Sequence, residues 1–481
     1  MKKHTSHNNI NSSPPLGGSR RGAISVITMG CSKNLVDSEF LIRQFEANGL
    51  SVEHDPADAK GEIVIINTCG FIGDAKEESI ETILNFAEAK KEGRIKKLYV
   101  MGCLSERYFN QLETELPEVD KFYGKFDWQN VVSEIGASYR RDLMLERSIT
   151  TPPHYAYLKI SEGCNRKCSY CAIPIITGKH KSRPMKDLLY EAERLADKGV
   201  KELQVIAQDL SYYGIDINDK QQLPALVDKL SNINGIEWIR LHYFYPAGFP
   251  FDILKVMNEN PKVCNYADIA LQHISNNMLQ LMRRGVNKKQ TYELIERIRR
   301  EVPDIHLRTT FITGHPGETD KDFEELIKFV EDIRFERLGV FPYSHEEDTY
   351  SWKTYKDDVP DEIKQERADR IMEIQNGIAY ELNQSKIGKT LKVIIDRKEG
   401  GIYTDSPSSP LRGPARLSGG DKRGAYFVGR TEYDSPEVDQ EVLIPAENNL
   451  KIGEFYTVKI TGAEDYDLYG SPTLPSPEGR E

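Results

Sequence analysis

Short apolar runs alternate with amphipathic stretches from Ala23 onward, and the texture of that alternation changes twice along the chain. In the first part AISVITM, EIVIINT and KKLYVMG are rich enough in Val, Ile and Leu to predict buried strands of a parallel sheet. SEFLIRQFEANG and EESIETILNFAEAKK space their apolar residues three and four apart, which predicts helices. Residues 23–140 therefore read as an open α/β domain. SYRRDLMLERSITTPP breaks the pattern, with Pro152 and Pro153 opposing helix, so 141–152 reads as a linker. A second series follows: YAYLKIS, VKELQVIA, GIEWIRLHYF, YADIALQ, IHLRTTFITG and RLGVFPY, with helical patterns such as DLLYEAERLADKG and DKDFEELIKFVEDI between them. Over 153–385 this predicts a partial or full parallel (β/α) barrel, whose chemistry belongs at the carboxyl ends of the strands. From 386 to 468 the strands become short and turn-bounded, LKVIIDR, AYFVGRT, QEVLI and FYTVKITGA, as in a small antiparallel β-barrel. Residues 1–22, about 401–425 and 469–481 are rich in Ser, Pro and Gly and predict disorder.

Composition narrows the function classes. No apolar run approaches the roughly 20 residues of a membrane span, and MKKHTSHNNI lacks the apolar core of a secretory signal, so a cytoplasmic protein without membrane contact is expected. The formal charge of −11 is opposite to the footprint of a dedicated nucleic-acid binder. Seven cysteines spread over 481 residues do not form a secreted disulfide framework; in a reducing compartment clustered thiols bind metal or do chemistry.

Three of them stand in SEGCNRKCSYC, where Cys164, Cys168 and Cys171 follow the first strand of the barrel series. A structural zinc site wants four closed ligands, and His180 could serve as the fourth. A four-iron cluster takes four thiolates, so three leave one iron open to a ligand. The CxxxCxxC spacing after a first barrel strand, with Tyr170 before the last Cys, resembles the radical S-adenosylmethionine (SAM) enzymes. That resemblance implies that an open iron chelates SAM, that Tyr170 lies at the cofactor, and that Gln208, Asp209, Gln272, His273, Arg308 and Phe341, near later strand ends, face the SAM cavity. Each could instead satisfy only a local hydrogen bond.

Cys31 in TMGCSKN, Cys69 in INTCGF and Cys103 in VMGCLSE each follow a predicted strand of the first domain. In an open parallel sheet those ends share one edge, so the thiols could converge as a second three-thiolate site; each could also be a small buried residue. Cys264 in NPKVCNYADI reads as an ordinary core residue.

Two such trios on adjoining domains resemble the radical SAM methylthiotransferases, built from an N-terminal cluster domain, a partial barrel and a C-terminal TRAM β-barrel. MGCSKNLVDSE, SEGCNRKCSYCAIP, VIAQDLSYYG, RTTFITGHPGET, FPYSHEEDT and VGRTEYDSPEVD resemble the RimO branch. The resemblance implies two [4Fe–4S] clusters, on Cys31, Cys69 and Cys103 and on Cys164, Cys168 and Cys171, with SAM as co-substrate. It also implies radical methylthiolation of an aspartate β-carbon in small-subunit ribosomal protein twelve, and an electron donor such as a flavodoxin or ferredoxin. The sibling branch, acting on adenosine in transfer RNA, is the alternative. Ten acids against two lysines between Glu432 and Asp467 suit a basic protein partner better than phosphates.

Overall fold

A computed structural model describes residues 23–56, 62–400 and 425–473. The predicted tail at 1–22, the insert through residue 424 and the segment 474–481 lie outside the described residues.

The first domain is a five-stranded parallel sheet of order β2-β1-β3-β4-β5. β1 (Ile24–Thr28), β3 (Ile63–Thr68) and β4 (Lys97–Gly102) are the three expected strands. β2 (Val52–His54) and β5 (Lys121–Phe122) are edge strands too short to show periodicity. Helices α1 (Ser32–Ala47), α2 (Gly73–Lys91), α3 (Cys103–Glu115) and α4 (Trp128–Glu134) cover the faces, so the sheet separates two apolar layers.

The second domain begins with β6 (Tyr155–Lys159), followed by an antiparallel ribbon of β7 (Ser161–Glu162) and β8 (Lys181–Ser182). α5 (Ile173–Thr177) lies between the ribbon strands. β9 (Glu202–Ile206), β10 (Trp238–Phe244), β11 (Val263–Gln272), β12 (His306–Thr313) and β13 (Arg337–Pro342) then pair in chain order onto β6, all parallel. This is a six-stranded partial barrel, open between β6 and β13. Strand alternation sorts its residues: Leu203, Val205, Ile239, Leu241, Ala267, Ile269 and Leu307 enter the apolar layer under the helices. The intervening Glu202, Gln204, Arg240, His242, Asp268 and Arg308 point the other way, giving a polar interior where a closed barrel has branched apolar layers.

Both openings of that interior are covered. The N-terminal domain spans the gap: Asp37 of α1 pairs with Lys159 on β6, and Glu346, just past β13, receives Lys76 and Arg107, each at 2.8 Å. The segment read as a linker is part of this seam. Leu143 and Arg147 are buried, and the Arg147 guanidinium is bonded to Glu39, Glu191 and the Tyr157 carbonyl. A loop rich in charge looked free in the sequence because its partners lie on other elements.

The C-terminal domain is a closed barrel of β14 (Thr390–Glu399), β15 (Tyr426–Thr431), β16 (Glu441–Pro445), β17 (Phe455–Ala463) and β18 (Asp467–Pro472). β18 corrects the expected boundary at 468. Tyr469–Pro472 pair with β17, although Gly, Ser and Pro give the segment the composition of a tail. Arg430 on β15 and Glu441 on β16 meet Asp396 and Arg397 on β14, so much of this barrel's charge is satisfied within it.

This small barrel floors the larger one at the amino ends of its strands. Tyr155 donates to Glu437, Glu202 bonds Arg430, Trp238 packs on Phe455, Tyr266 donates to Asp439, His306 stacks on Tyr433, and Arg337 bonds Asp434 and Gln440. The acidic balance of 432–467 is therefore not a measure of outward charge. Asp434, Glu437 and Asp439 face the catalytic domain, and Glu441 answers Arg397 at 2.8 Å.

At the centre of the floor, the fully buried Glu202 carboxylate accepts from Arg240 at 2.9 Å and from Arg430 at 2.8 Å. Removing the carboxylate leaves buried Arg240 without a counter-ion among the described residues, while Arg430 keeps only Asp396. Glu202→Ala is expected to destabilise the protein by about 3–5 kcal/mol, read as a lowered chemical-denaturation midpoint, whereas Glu454→Ala, at an exposed pair with Lys201, should shift it by less than about 1 kcal/mol.

Candidate active site

Side-by-side pairing of β1, β3 and β4 brings Cys31, Cys69 and Cys103 to one sheet edge. Cys31 precedes α1, Cys69 follows β3, and Cys103 opens α3. The approach is close enough to demand glycine: a Cβ on Gly30, whose φ is +88°, would lie 2.7 Å from the Cys69 Cβ and 2.9 Å from its Sγ. Burial, with the neighbouring Cys31 and Cys103 adding to it, pushes the Cys69 thiol up to about 12. Burial also pushes Cys103 up to about 11, against the pull of Lys125, whose Nζ lies 3.8 Å from its Sγ. Lys125 is held in turn by Asp37 at 3.6 Å and Glu162 at 3.5 Å.

The second trio occupies the loop between β7 and β8. Gly163 enters it at φ +75°, where a Cβ would meet the Lys179 carbonyl oxygen at 2.2 Å. Burial pushes the Cys164 thiol up to about 11 and drives Cys171 up as well. Cys168 receives the Arg284 guanidinium at 3.1 Å and lies 3.6 Å from the Tyr245 hydroxyl. Tyr170, expected at the cofactor, also accepts from Arg284, at 3.0 Å, and so helps aim that cation at the sulfur. The trios adjoin, since Cys103 packs with Ala172 and Ile176, directly after Cys171, in one small buried cluster.

These donors fit iron–sulfur clusters better than zinc. Among the described residues no three His, Cys, Asp or Glu side chains converge as the ligands of a single ion do. Each trio supplies three free thiols, the donor set of a four-iron cluster with one open iron. The Nε2 of His180, the possible fourth ligand, is 3.1 Å from Ser182 Oγ, and its ring packs on Tyr212. Lys125 and Arg284 supply positive charge where sulfurs must deprotonate to bind metal.

The expected SAM residues divide into four groups. Gln208 and Gln272 each keep a buried Oε1 without a hydrogen-bond partner, and Gln272 sits at φ +72° beside a bulge, so both suit a polar co-substrate. Phe341 lies at the carboxyl end of β13, half exposed. Asp209 and His273 are spent locally: Asp209 accepts from Arg166 and the Ser211 amide, and His273 is bonded to Glu318 at 3.0 Å. Arg308 corrects the expectation. As the third residue of β12 it lies towards the amino end, 3.6 Å from Asp268 and 3.4 Å from Asp439 of the C-terminal barrel. A strand-end motif read without its register had placed it at the wrong end. Cys264 is buried with Trp238, Tyr266 and Ile394, a core residue as read.

Lys125, Glu162, Tyr245 and Arg284 were not found by sequence reasoning. Arg284 alone had a signal, in a charged RRG that ends a short helix without fitting its apolar period.

Comparison with known proteins agrees with this architecture. Family models match the Radical SAM superfamily over residues 158–330, Uncharacterized protein family UPF0004 over 23–124 and the TRAM domain over 419–472. The ribosomal protein uS12 methylthiotransferase RimO of Phocaeicola vulgatus is 59% identical over 453 residues, which is 94% of this chain and 99% of that protein. The protein of the same description from Porphyromonas gingivalis is 58% identical over 452 residues, again 94% of this chain and 99% of its own length. The chain belongs to the RimO family of radical SAM methylthiotransferases. The RimO match runs through all three domains, so the N-terminal trio, the barrel trio and the flooring barrel belong to one enzyme. Among the described residues no helix is long and apolar enough to cross a membrane.

Arg284 donates to a sulfur that would become a cluster ligand, and a cation there stabilises the more negative, reduced state. Arg284→Met is expected to make the barrel cluster harder to reduce by on the order of tens of millivolts, with Arg284→Lys intermediate, as read by a redox titration followed by electron paramagnetic resonance.

Proposed function

We propose that this chain methylthiolates the β-carbon of an aspartate in ribosomal protein uS12 by radical SAM chemistry. The observation carrying this reading is the pair of adjoining three-thiol sites, one at the sheet edge and one on the barrel loop, in a chain that matches RimO proteins along nearly its whole length. With SAM and two [4Fe–4S] clusters bound, the site would gain one-electron cleavage of SAM and a transferable sulfur, as an aliphatic C–H lies outside the reach of ordinary acid–base groups. Cys164, Cys168 and Cys171 would hold one cluster and Cys31, Cys69 and Cys103 the other.

The remaining residues bind and position. Gln208 and Gln272 offer unanswered amide oxygens to SAM, and Phe341 an apolar surface at the rim. Arg284 and Lys125 hold positive charge at the two sets of sulfurs. Glu346, gripping Lys76 and Arg107, keeps the two domains together, and Glu202 ties the amino end of the barrel to the C-terminal domain through Arg430. A flavodoxin or ferredoxin would deliver electrons, and the reaction would take place in the cytoplasm, where ribosomal protein is made.

Anaerobically reconstituted protein tests this with a uS12 loop peptide and with transfer RNA as competing substrates. Cys168→Ala is expected to abolish 5′-deoxyadenosine formation. Cys69→Ala is expected to leave SAM cleavage and block formation of the carbon–sulfur bond. Methylthiolation of the transfer RNA instead of the peptide, detected by mass spectrometry, would overturn the assignment of substrate.

A further inference from the structure

Where the N-terminal domain meets the barrel, cations are matched by anions: Lys125 and Lys159 share Asp37 and Glu162, and Arg166 holds Asp209. Lys33 breaks this rule. Among the described residues no carboxylate lies within ion-pair distance of its ammonium group. Instead Nζ stands 3.4 Å above the centre of the Tyr243 ring, a contact that favours a cation but answers none of its three N–H donors.

Placement makes the unanswered charge informative. Lys33 is in the first turn of α1, two residues past Cys31, and is only partly exposed. Its charge acts inward, adding to burial, Arg240 and Arg308 in lowering His242, and, after Arg308, opposing the burial that raises Asp268; both groups lie inside the barrel. The platform beneath it is strained: Tyr243 has φ +69°, a region bulky residues seldom adopt, at a register shift between β10 and β11. A second donor nearby is also unanswered, because Gln204 bonds His242 through Oε1 at 2.7 Å while its buried Nε2 has no partner. A partly buried cation without a carboxylate partner and an orphaned amide donor suit an anion with more than one acceptor atom.

We propose that Lys33 is a specificity-determining residue that binds the side-chain carboxylate of the substrate aspartate. The inference rests on the function proposed above and adds the group that recognises the target residue. Chemistry favours this arrangement, since the carboxylate carbon is bonded directly to the β-carbon. Holding the carboxylate fixes the reacting carbon within one bond and leaves its C–H bonds uncovered. Lys33 lies two residues along the chain from Cys31, on the helix that leads away from the N-terminal trio, the one whose Cys69→Ala variant is expected to block carbon–sulfur bond formation. Asn, isosteric but uncharged, forfeits the charge-assisted bond.

The test compares uS12 loop peptides carrying Asp or Asn at the modified position, on reconstituted wild-type enzyme, Lys33→Met and Lys33→Arg. Wild type is expected to favour Asp by about 10- to 100-fold in kcat/KM, the worth of a hydrogen bond to a charged group. Lys33→Met should lose most of that preference, chiefly through KM, and Lys33→Arg should keep part of it. The ratio is taken within one preparation, so loss of active enzyme cancels; where turnover is too slow, Kd values for the two peptides supply the same ratio. An unchanged Asp-over-Asn ratio in Lys33→Met, or no preference in wild type, overturns the proposal. Failure of wild type to modify or bind either peptide would instead overturn the uS12 reading itself.

Discussion

An open parallel barrel with a polar interior needs its buried charges paired and its openings covered, and the rest of this molecule answers that constraint. Six strands leave a gap between β6 and β13, and their inward positions carry Glu, Gln, Arg, His and Asp. Buried groups of that kind must be paired and shielded, because an unmatched charge in a low-dielectric interior is costly. Glu202 pins the solution. It sits between Arg240 of its own sheet and Arg430 of the C-terminal barrel, and around it all six strands touch that barrel at their amino ends.

Closure at one end leaves the carboxyl ends to chemistry. There the N-terminal domain bridges the gap with Asp37 on one side and the Glu346 partners on the other, bringing its own sheet edge against the barrel loop. Cys103 and Ala172 meet as a consequence, so two thiol trios encoded more than 60 residues apart become neighbours. The burial that raises the pKa of Cys69, Cys103 and Cys164 also strengthens the action of Lys125 and Arg284 on nearby sulfur. Protection and activation arise from the same desolvation.

The C-terminal barrel gains a different meaning from this arrangement. Its excess of acid suggested an outward surface for a basic partner, yet Asp434, Glu437 and Asp439 are turned into the enzyme. Recognition is better sought at the opposite end, where strained Tyr243 and Gln272, the unanswered Lys33 ammonium and the orphaned glutamine amides gather. Backbone strain and unsatisfied polar groups persist where surrounding structure enforces them, and such places tend to be sites of function.

What local pattern encodes was readable in the sequence. Buried parallel strands have runs of Val, Ile and Leu, helices repeat their apolar residues at three and four, and the CxxxCxxC spacing is itself a local pattern; the order of the longer elements and the place of six thiols just past a strand followed from these. Strands of two or three residues, such as β2 and β5, and β18 with its Gly, Ser and Pro carry no such period, and only pairing with a neighbour makes them strands. Charged residues were the least legible, because a charge has no periodicity and its meaning depends on a partner distant in sequence. Arg147 looked like linker, Arg308 like a SAM contact, and Asp434 like surface, until the fold supplied Glu39, Asp439 and Arg337. The sequence determined which elements form and what chemistry the thiols can support; tertiary structure decided which charges are matched and which are left to meet a substrate, since Coulomb interaction depends on distance in space.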